Sequence, residues 1–154
     1  MKKKGILHPL LSKAVASLGH GDILWVCDGN HPVPDDYRRI DLAITPGLPD
    51  LQPVLSALKD ELFIEKVIIA QEMEKYNPKL YQWIVGNFED IPIQKIPHSP
   101  DLLATKTEAK YFVRTASMNP WGNIVLVIGC NWDLILKQDG VNVPNEMLPE
   151  KFRK

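Results

Sequence analysis

Cysteine is scarce in this chain. Cys27 and Cys130 are the only two in 154 residues. Each ends an apolar run, so they read as buried thiols at strand ends rather than a disulfide. An excess of charge of either sign is also missing. Eighteen basic and nineteen acidic side chains leave a formal net charge of −1, which gives no electrostatic footprint for nucleic acid. No apolar run approaches the roughly 18 residues that span a bilayer. The basic start MKKK is not followed by an apolar segment and is not read as a signal peptide. The expectation is a soluble, cytoplasmic protein with neither a nucleic acid nor a membrane partner. GxGxxG, Walker A and GxSxG are all absent. Gly19-His20-Gly21-Asp22 is no substitute for a phosphate loop, because its side chains are bulky and titratable and it precedes a strand. HxH, HExxH and CxxC are absent too, and there is no internal repeat or low-complexity segment.

What is present is a patterned chain long enough for one domain with a real core. Pro9 to Leu18 has leucines near helical spacing and Gly19 at its end. Ile23–Cys27 (ILWVC) is a short apolar run between turn formers, the form of a buried strand. "RRIDLAITPG" alternates around Ile40, Leu42 and Ile44. "DLQPVLSALKDELF" predicts a helix with Asp50 as N-cap and Pro53 in its first turn. "EKVIIAQE" predicts another buried strand, and "NPKLYQWIVGNF" a helix capped by Asn77 with Pro78 first. "IPIQKIPH" is a strand that delivers His98, and "SPDLLATKTEAK" a short helix. "YFVRTA" and "NIVLVIG" are strands separated by "SMNPWG". Strands alternating with helices predict an α/β fold: a single three-layer α/β/α domain with a largely parallel central sheet, spanning 1–130. Residues 131–154 break this pattern with turn formers, prolines and charges. They predict a C-terminal extension lying on the domain or on a neighbouring subunit.

Polar residues cluster around ILWVC. His20 and Asp22 precede it, and Asp28, Asn30 and His31 follow it. Ligand sites in α/β sheets form outside the carboxyl ends of strands. Asp28, His98 and Ser117–Asn123 all lie just after predicted strands, whereas His20 lies just before one and must reach a site from its loop. Histidine can give or take a proton near neutral pH, and groups such as Asp28 and Asn123 can hold sugar hydroxyls. A metal site drawn from His20, Asp22, Asp28, His31 and His98 is a competing reading. Ordinary structural roles compete as well. His20 can be a helix C-cap, Asp22 and Asp28 turn aspartates, His98 an exposed loop residue, and Trp121 a packing residue. The residue types and spacing alone leave these alternatives open.

The ordered motifs carry a resemblance. "KKKGILHPLLSKAVASLGHGDILWVCDGNHPVP", then "RIDLAITPGLPDLQPVLSAL", "EKVIIAQEM" and Asn77-Pro78 before a helix, resemble the D-ribose pyranase / L-fucose mutarotase family. They sit closer to the ribose pyranase branch, and the likeness runs from Lys3 to about Gly129. The resemblance implies an α/β/α domain that interconverts ring forms of a free monosaccharide, pyranose and furanose, without cofactor or metal. It also implies a homo-oligomer, a pentameric ring or decamer, with sites shared between subunits. By the same resemblance, His20 of Leu-Gly-His-x-Asp is the catalytic proton donor. Asp28, His98, Trp121, Gly122 and Asn123 bind substrate, with one residue inserted between His98 and Arg114. Arg114 supports the site, and Asp22 either supports the His20 ring or caps its own turn. The chain departs from the family pattern in its tail beyond Gly129, which exceeds the usual ending, and in three places before it. Ser117 replaces a glutamate, Trp121 replaces a tyrosine, and Asn30-His31 replaces shorter, less polar residues. An indole can stack on a sugar but offers only an N–H donor. A sugar-binding member with weak or no turnover is therefore the alternative reading.

Overall fold

The computed structural model describes residues 2–153. Six strands, β1 (Ile23–Cys27), β2 (Arg39–Asp41), β3 (Ile64–Ala70), β4 (Ile93–Ile96), β5 (Ala109–Arg114) and β6 (Ile124–Ile128), form one sheet in the order β2-β5-β1-β6-β3-β4. β1 is parallel to β5, β5 to β2, and β3 to β4. β6 runs antiparallel to both its neighbours, β1 and β3. A largely parallel α/β sheet is therefore what forms, with one reversed strand at its centre. The reversal matters for the site. It brings the start of β6, where Ile124 pairs with Val26 and Ile69, to the carboxyl ends of β1 and β3.

Side-chain alternation explains the layers. In β1, Leu24 and Val26 face one side, and Trp25 and Cys27 the other; all four are completely buried. The Leu24 face packs against α1 (Pro9–Ser17), α2 (Leu51–Glu61), α3 (Glu72–Tyr76) and α4 (Pro78–Asn87) through residues such as Leu11, Leu55, Met73 and Ile84. Burying each leucine of this kind contributes about 1.5–3 kcal/mol. The Trp25 face is covered more thinly. Its lid is the segment 98–108, two short helical stretches anchored by buried Leu102. Trp25 Nε1 donates to Thr105 Oγ1 at 2.9 Å, and that hydroxyl donates on to the Leu102 carbonyl.

The helix starts follow local chemistry. Asp50 Oδ1 accepts from the Leu51 amide at 2.7 Å, and Asn77 Oδ1 accepts from the Leu80 amide. These caps supply acceptors for amides that have no partner within the helix. After Gly129 the chain enters α5 (Trp132–Ile135), begun by Asn131, and then runs over the domain until Leu148 is buried. Among the described residues no helix is long and apolar enough to cross a membrane.

Candidate active site

Asp28 directly follows β1 and is 9% exposed. Its Oδ1 accepts from the Asn30 amide at 2.8 Å, which closes the turn. Its other oxygen has no hydrogen bond among the described residues and is open to a ligand. The turn is tied to the next strand: the Gly29 amide donates to the Ser117 carbonyl, and Thr115 Oγ1 donates to the Cys27 carbonyl.

The segment between β5 and β6 lies against Asp28. A side chain on Gly122 would meet the Asn119 carbonyl at 2.8 Å, so the turn itself requires glycine, and Asp28 Cβ lies at ordinary contact distance, 3.5 Å, from the same point. Trp121 sits at φ 57, in the left-handed region that non-glycine residues rarely occupy. Backbone strain of this kind concentrates at functional sites. The Trp121 ring stacks on Tyr76, with centroids 5.2 Å apart. Asn77 Nδ2 donates to the Pro120 carbonyl at 3.0 Å, so the residue that caps α4 also holds the Trp121 turn. Asn123 is 3% exposed, and its Oδ1 is buried without a partner among the described residues. A buried unsatisfied amide oxygen is costly.

The structure therefore brings Asp28, Trp121, Gly122 and Asn123 together at one end of the sheet. His98 comes to the same end, just beyond β4, where its amide donates to the Glu72 carboxylate. Ser117 is fully buried and accepts from Asn119 through its hydroxyl. Arg114 turns away. Its guanidinium closes on Asp41 of β2, which also takes Arg39 at 2.8 Å. Burial opposes the Asp41 charge, but the two arginines outweigh it and hold the carboxyl below its usual range. His31 is 7% exposed and stacked on Trp25 at 5.1 Å. Burial, then the charges of Lys106 and His98, push its pKa down to about 4.

His20 lies elsewhere. It sits on the turn before β1, whose five residues at about 3.3 Å each put roughly 16 Å between it and Asp28. The Gly21 amide donates to the Ile128 carbonyl, fixing this turn at the far end of β6. The His20 Nε2 meets Glu65 Oε2 at 2.8 Å. Asp22 does not touch the ring: its Oδ2 accepts from the Gly19 amide and from Lys110, each at 2.6 Å. Burial works against that carboxylate, but the Lys110 and Gly19 bonds prevail and keep its pKa low. Asp22 is thus the cap of its own turn, and Glu65 takes the ring. Glu65 is the residue sequence reasoning missed. The only signal was a carboxylate near the start of a strand whose last four residues are buried. Among the described residues no three His, Cys, Asp or Glu side chains converge to hold a metal ion.

A family model described as the RbsD / FucU transport protein family matches residues 1–131. The chain belongs to that family. The D-ribose pyranase 2 of Rubrobacter xylanophilus is 44% identical over 145 residues, 94% of each chain. The D-ribose pyranase of Geobacillus thermodenitrificans is 39% identical over 132 residues, covering 86% of this chain and 99% of the relative. Among solved structures, Bacillus subtilis RbsD complexed with D-ribose superposes with a TM-score of 0.80 at 35% identity, covering 86% of this chain and all of that one. The fucose mutarotase of Streptococcus pneumoniae, in complex with L-fucose, shares the fold at a TM-score of 0.68 and 17% identity. The family match ends at residue 131, yet a match over 145 of 154 residues must reach into the segment after it. The match with the Rubrobacter relative therefore takes in part of the extension.

Proposed function

We propose that this chain is a sugar pyranase of the D-ribose type, an isomerase that exchanges pyranose and furanose forms of free ribose or a related monosaccharide. The observation that carries the reading is the convergence of an open Asp28 oxygen, the strained Trp121, close-packed Gly122 and buried Asn123 on one end of the sheet. Asp28 and Asn123 hold hydroxyls, Trp121 offers a ring face, and His98 closes the side. Arg114 supports this end from behind by fixing Asp41.

The reaction needs little else. A proton goes to the ring oxygen as the anomeric hydroxyl loses one; the C1–O5 bond breaks and the C1 carbonyl forms. A different hydroxyl then adds to C1 and the protons return. Atoms and electrons balance with no cofactor. General acid–base catalysis accelerates such steps by roughly 10²–10⁴-fold. His20 is the proton donor in this reading. One sugar cannot touch His20 and Asp28 of the same chain across β1, so a second copy supplies the histidine, and the enzyme works as a homo-oligomer, a pentameric ring or decamer. We set it in the cytoplasm, where reduced thiols such as Cys27 and Cys130 persist.

The test is NMR exchange spectroscopy on free pentoses and hexoses with wild type and His20→Ala. Wild type should accelerate exchange of at least one sugar and the variant should not. Binding without acceleration would favour a sugar-binding member instead, the outcome that Trp121 and Ser117 in place of tyrosine and glutamate motivate. Light scattering should show a large assembly; a monomer at micromolar concentration would sink the shared site.

A further inference from the structure

Three segments distant in sequence meet at the His20 ring. The turn after α1 carries it, β3 brings Glu65, and the first turn of α5 brings Trp132. Glu65 Oε2 lies 2.8 Å from Nε2. The Trp132 indole meets the imidazole edge-on, with centroids 6.4 Å apart and planes at 84°. The approach of Glu65 is built into the backbone. A Cβ on Gly129 would come within 3.1 Å of Glu65 Cβ and 3.3 Å of its amide nitrogen, and the Gly129 amide donates to the Phe63 carbonyl at 2.7 Å. A groove of about 720 Å³ opens beside this pair, between β3 and the extension, lined by Phe63, Ile91, Cys130 and Phe152. Asp22, the nearest carboxylate in sequence, is committed to Gly19 and Lys110.

A carboxylate only accepts hydrogen bonds, so the Nε2 beside it carries the hydrogen. In the neutral ring this leaves Nδ1 as the free acceptor; in the imidazolium it leaves Nδ1–H as the free donor. The Trp132 indole packs against the same ring. We propose that His20 exchanges protons with the sugar through Nδ1, and that Glu65 and Trp132 are positioning residues that fix its tautomer and ring plane. This rests on the reading of His20 as the proton donor. It gives part of the C-terminal extension, beyond the family match, a duty in catalysis. Carboxylates and carbonyls that hold the other ring nitrogen of a working histidine act in the same way elsewhere.

The experiment combines magic-angle-spinning ¹⁵N NMR of histidine-labelled, fully assembled protein with steady-state ring-exchange kinetics. The His20 signals are assigned with His20→Gln. The neutral wild-type ring should show a protonated Nε2 and a bare Nδ1. Glu65→Leu and Trp132→Ala should mix the two tautomers and lower kcat by at least about tenfold, with KM changed less than about twofold because both side chains act on the imidazole rather than on the sugar. Glu65→Gln, whose amide oxygen accepts the same N–H, and Trp132→Phe, which keeps a ring edge, should restore most of the rate. A bare Nε2 in wild type overturns the proposal, and that readout needs no variant to fold. Wild-type kcat in both Glu65→Leu and Trp132→Ala overturns it equally. A wild-type protein that moves no sugar overturns the assignment of function, while the ¹⁵N spectrum still judges the ring geometry by itself.

Discussion

Lowering the pH should destabilise this protein through one residue in particular, His31. It is 7% exposed, stacked on Trp25, with its Nε2 buried and without a partner among the described residues. Burial, Lys106 and His98 push its pKa from 6.5 to about 4. Between those values the unfolded chain binds a proton that the folded chain refuses. Stability therefore falls as pH drops below about 6.5 and levels off under about 4. A shift of about 2.5 units at 1.36 kcal/mol each is worth about 3 kcal/mol in full, of which about 2 is lost between pH 7 and pH 5. Asp22 and Asp41 are held below the ordinary 3.8 and lose their contributions only at lower pH, so they do not intrude on this window. Urea unfolding of wild type and His31→Phe at both pH values measures the effect. Phenylalanine keeps a ring on Trp25 and cannot titrate, and the remaining histidines are common to both proteins. Wild type should lose about 2 kcal/mol more than the variant over the window. Equal losses, within about 0.5 kcal/mol, would refute the burial argument, because no proton uptake by His31 would then separate the two states.

Gly122→Ala should cost about 1–3 kcal/mol and weaken sugar binding, since its methyl would sit 2.8 Å from the Asn119 carbonyl, a backbone atom that cannot swing away. Thermal melts and a ribose titration check it, and wild-type values for both would count against the close-approach argument. Trp121→Ala should lose the Tyr76 stack, about 0.5–1.5 kcal/mol, and raise KM, whereas Trp121→Tyr should keep both stability and turnover. Unchanged sugar affinity in the alanine variant would remove Trp121 from the site. Asn77→Ala should lower stability by about 1 kcal/mol through the lost cap of α4. It should also loosen the Pro120 turn, read as faster hydrogen exchange at the Gly122 amide; unaltered exchange would leave the cap as its only role.

The strand Ile23–Cys27 and the caps Asp50 and Asn77 were legible because each rests on local chemistry: turn formers around an apolar run, and short acceptors ahead of a helix. The direction of β6 was not, because alternation along a strand is the same whichever way it runs. Asp28, Trp121, Gly122 and Asn123 were found as candidates through ordered motifs, and their meeting depends on that direction. Glu65 was hidden for a different reason. It lies 45 residues from His20, and a carboxylate in a strand carries no mark of what it faces. Asn30 and His31 were read as polar residues following the strand, yet the His31 ring stacks on Trp25 and is buried. No pattern of neighbours encodes that contact.

The polarity of β1 has a consequence for counting. A chain that offers a histidine at one end of a strand and sugar-binding groups at the other both gives and receives. An open row of such chains always leaves one receiving end unserved and one histidine idle. Only a closed arrangement gives as many complete sites as copies. Dilution would then remove whole sites rather than slow each one, and specific activity would depend on concentration.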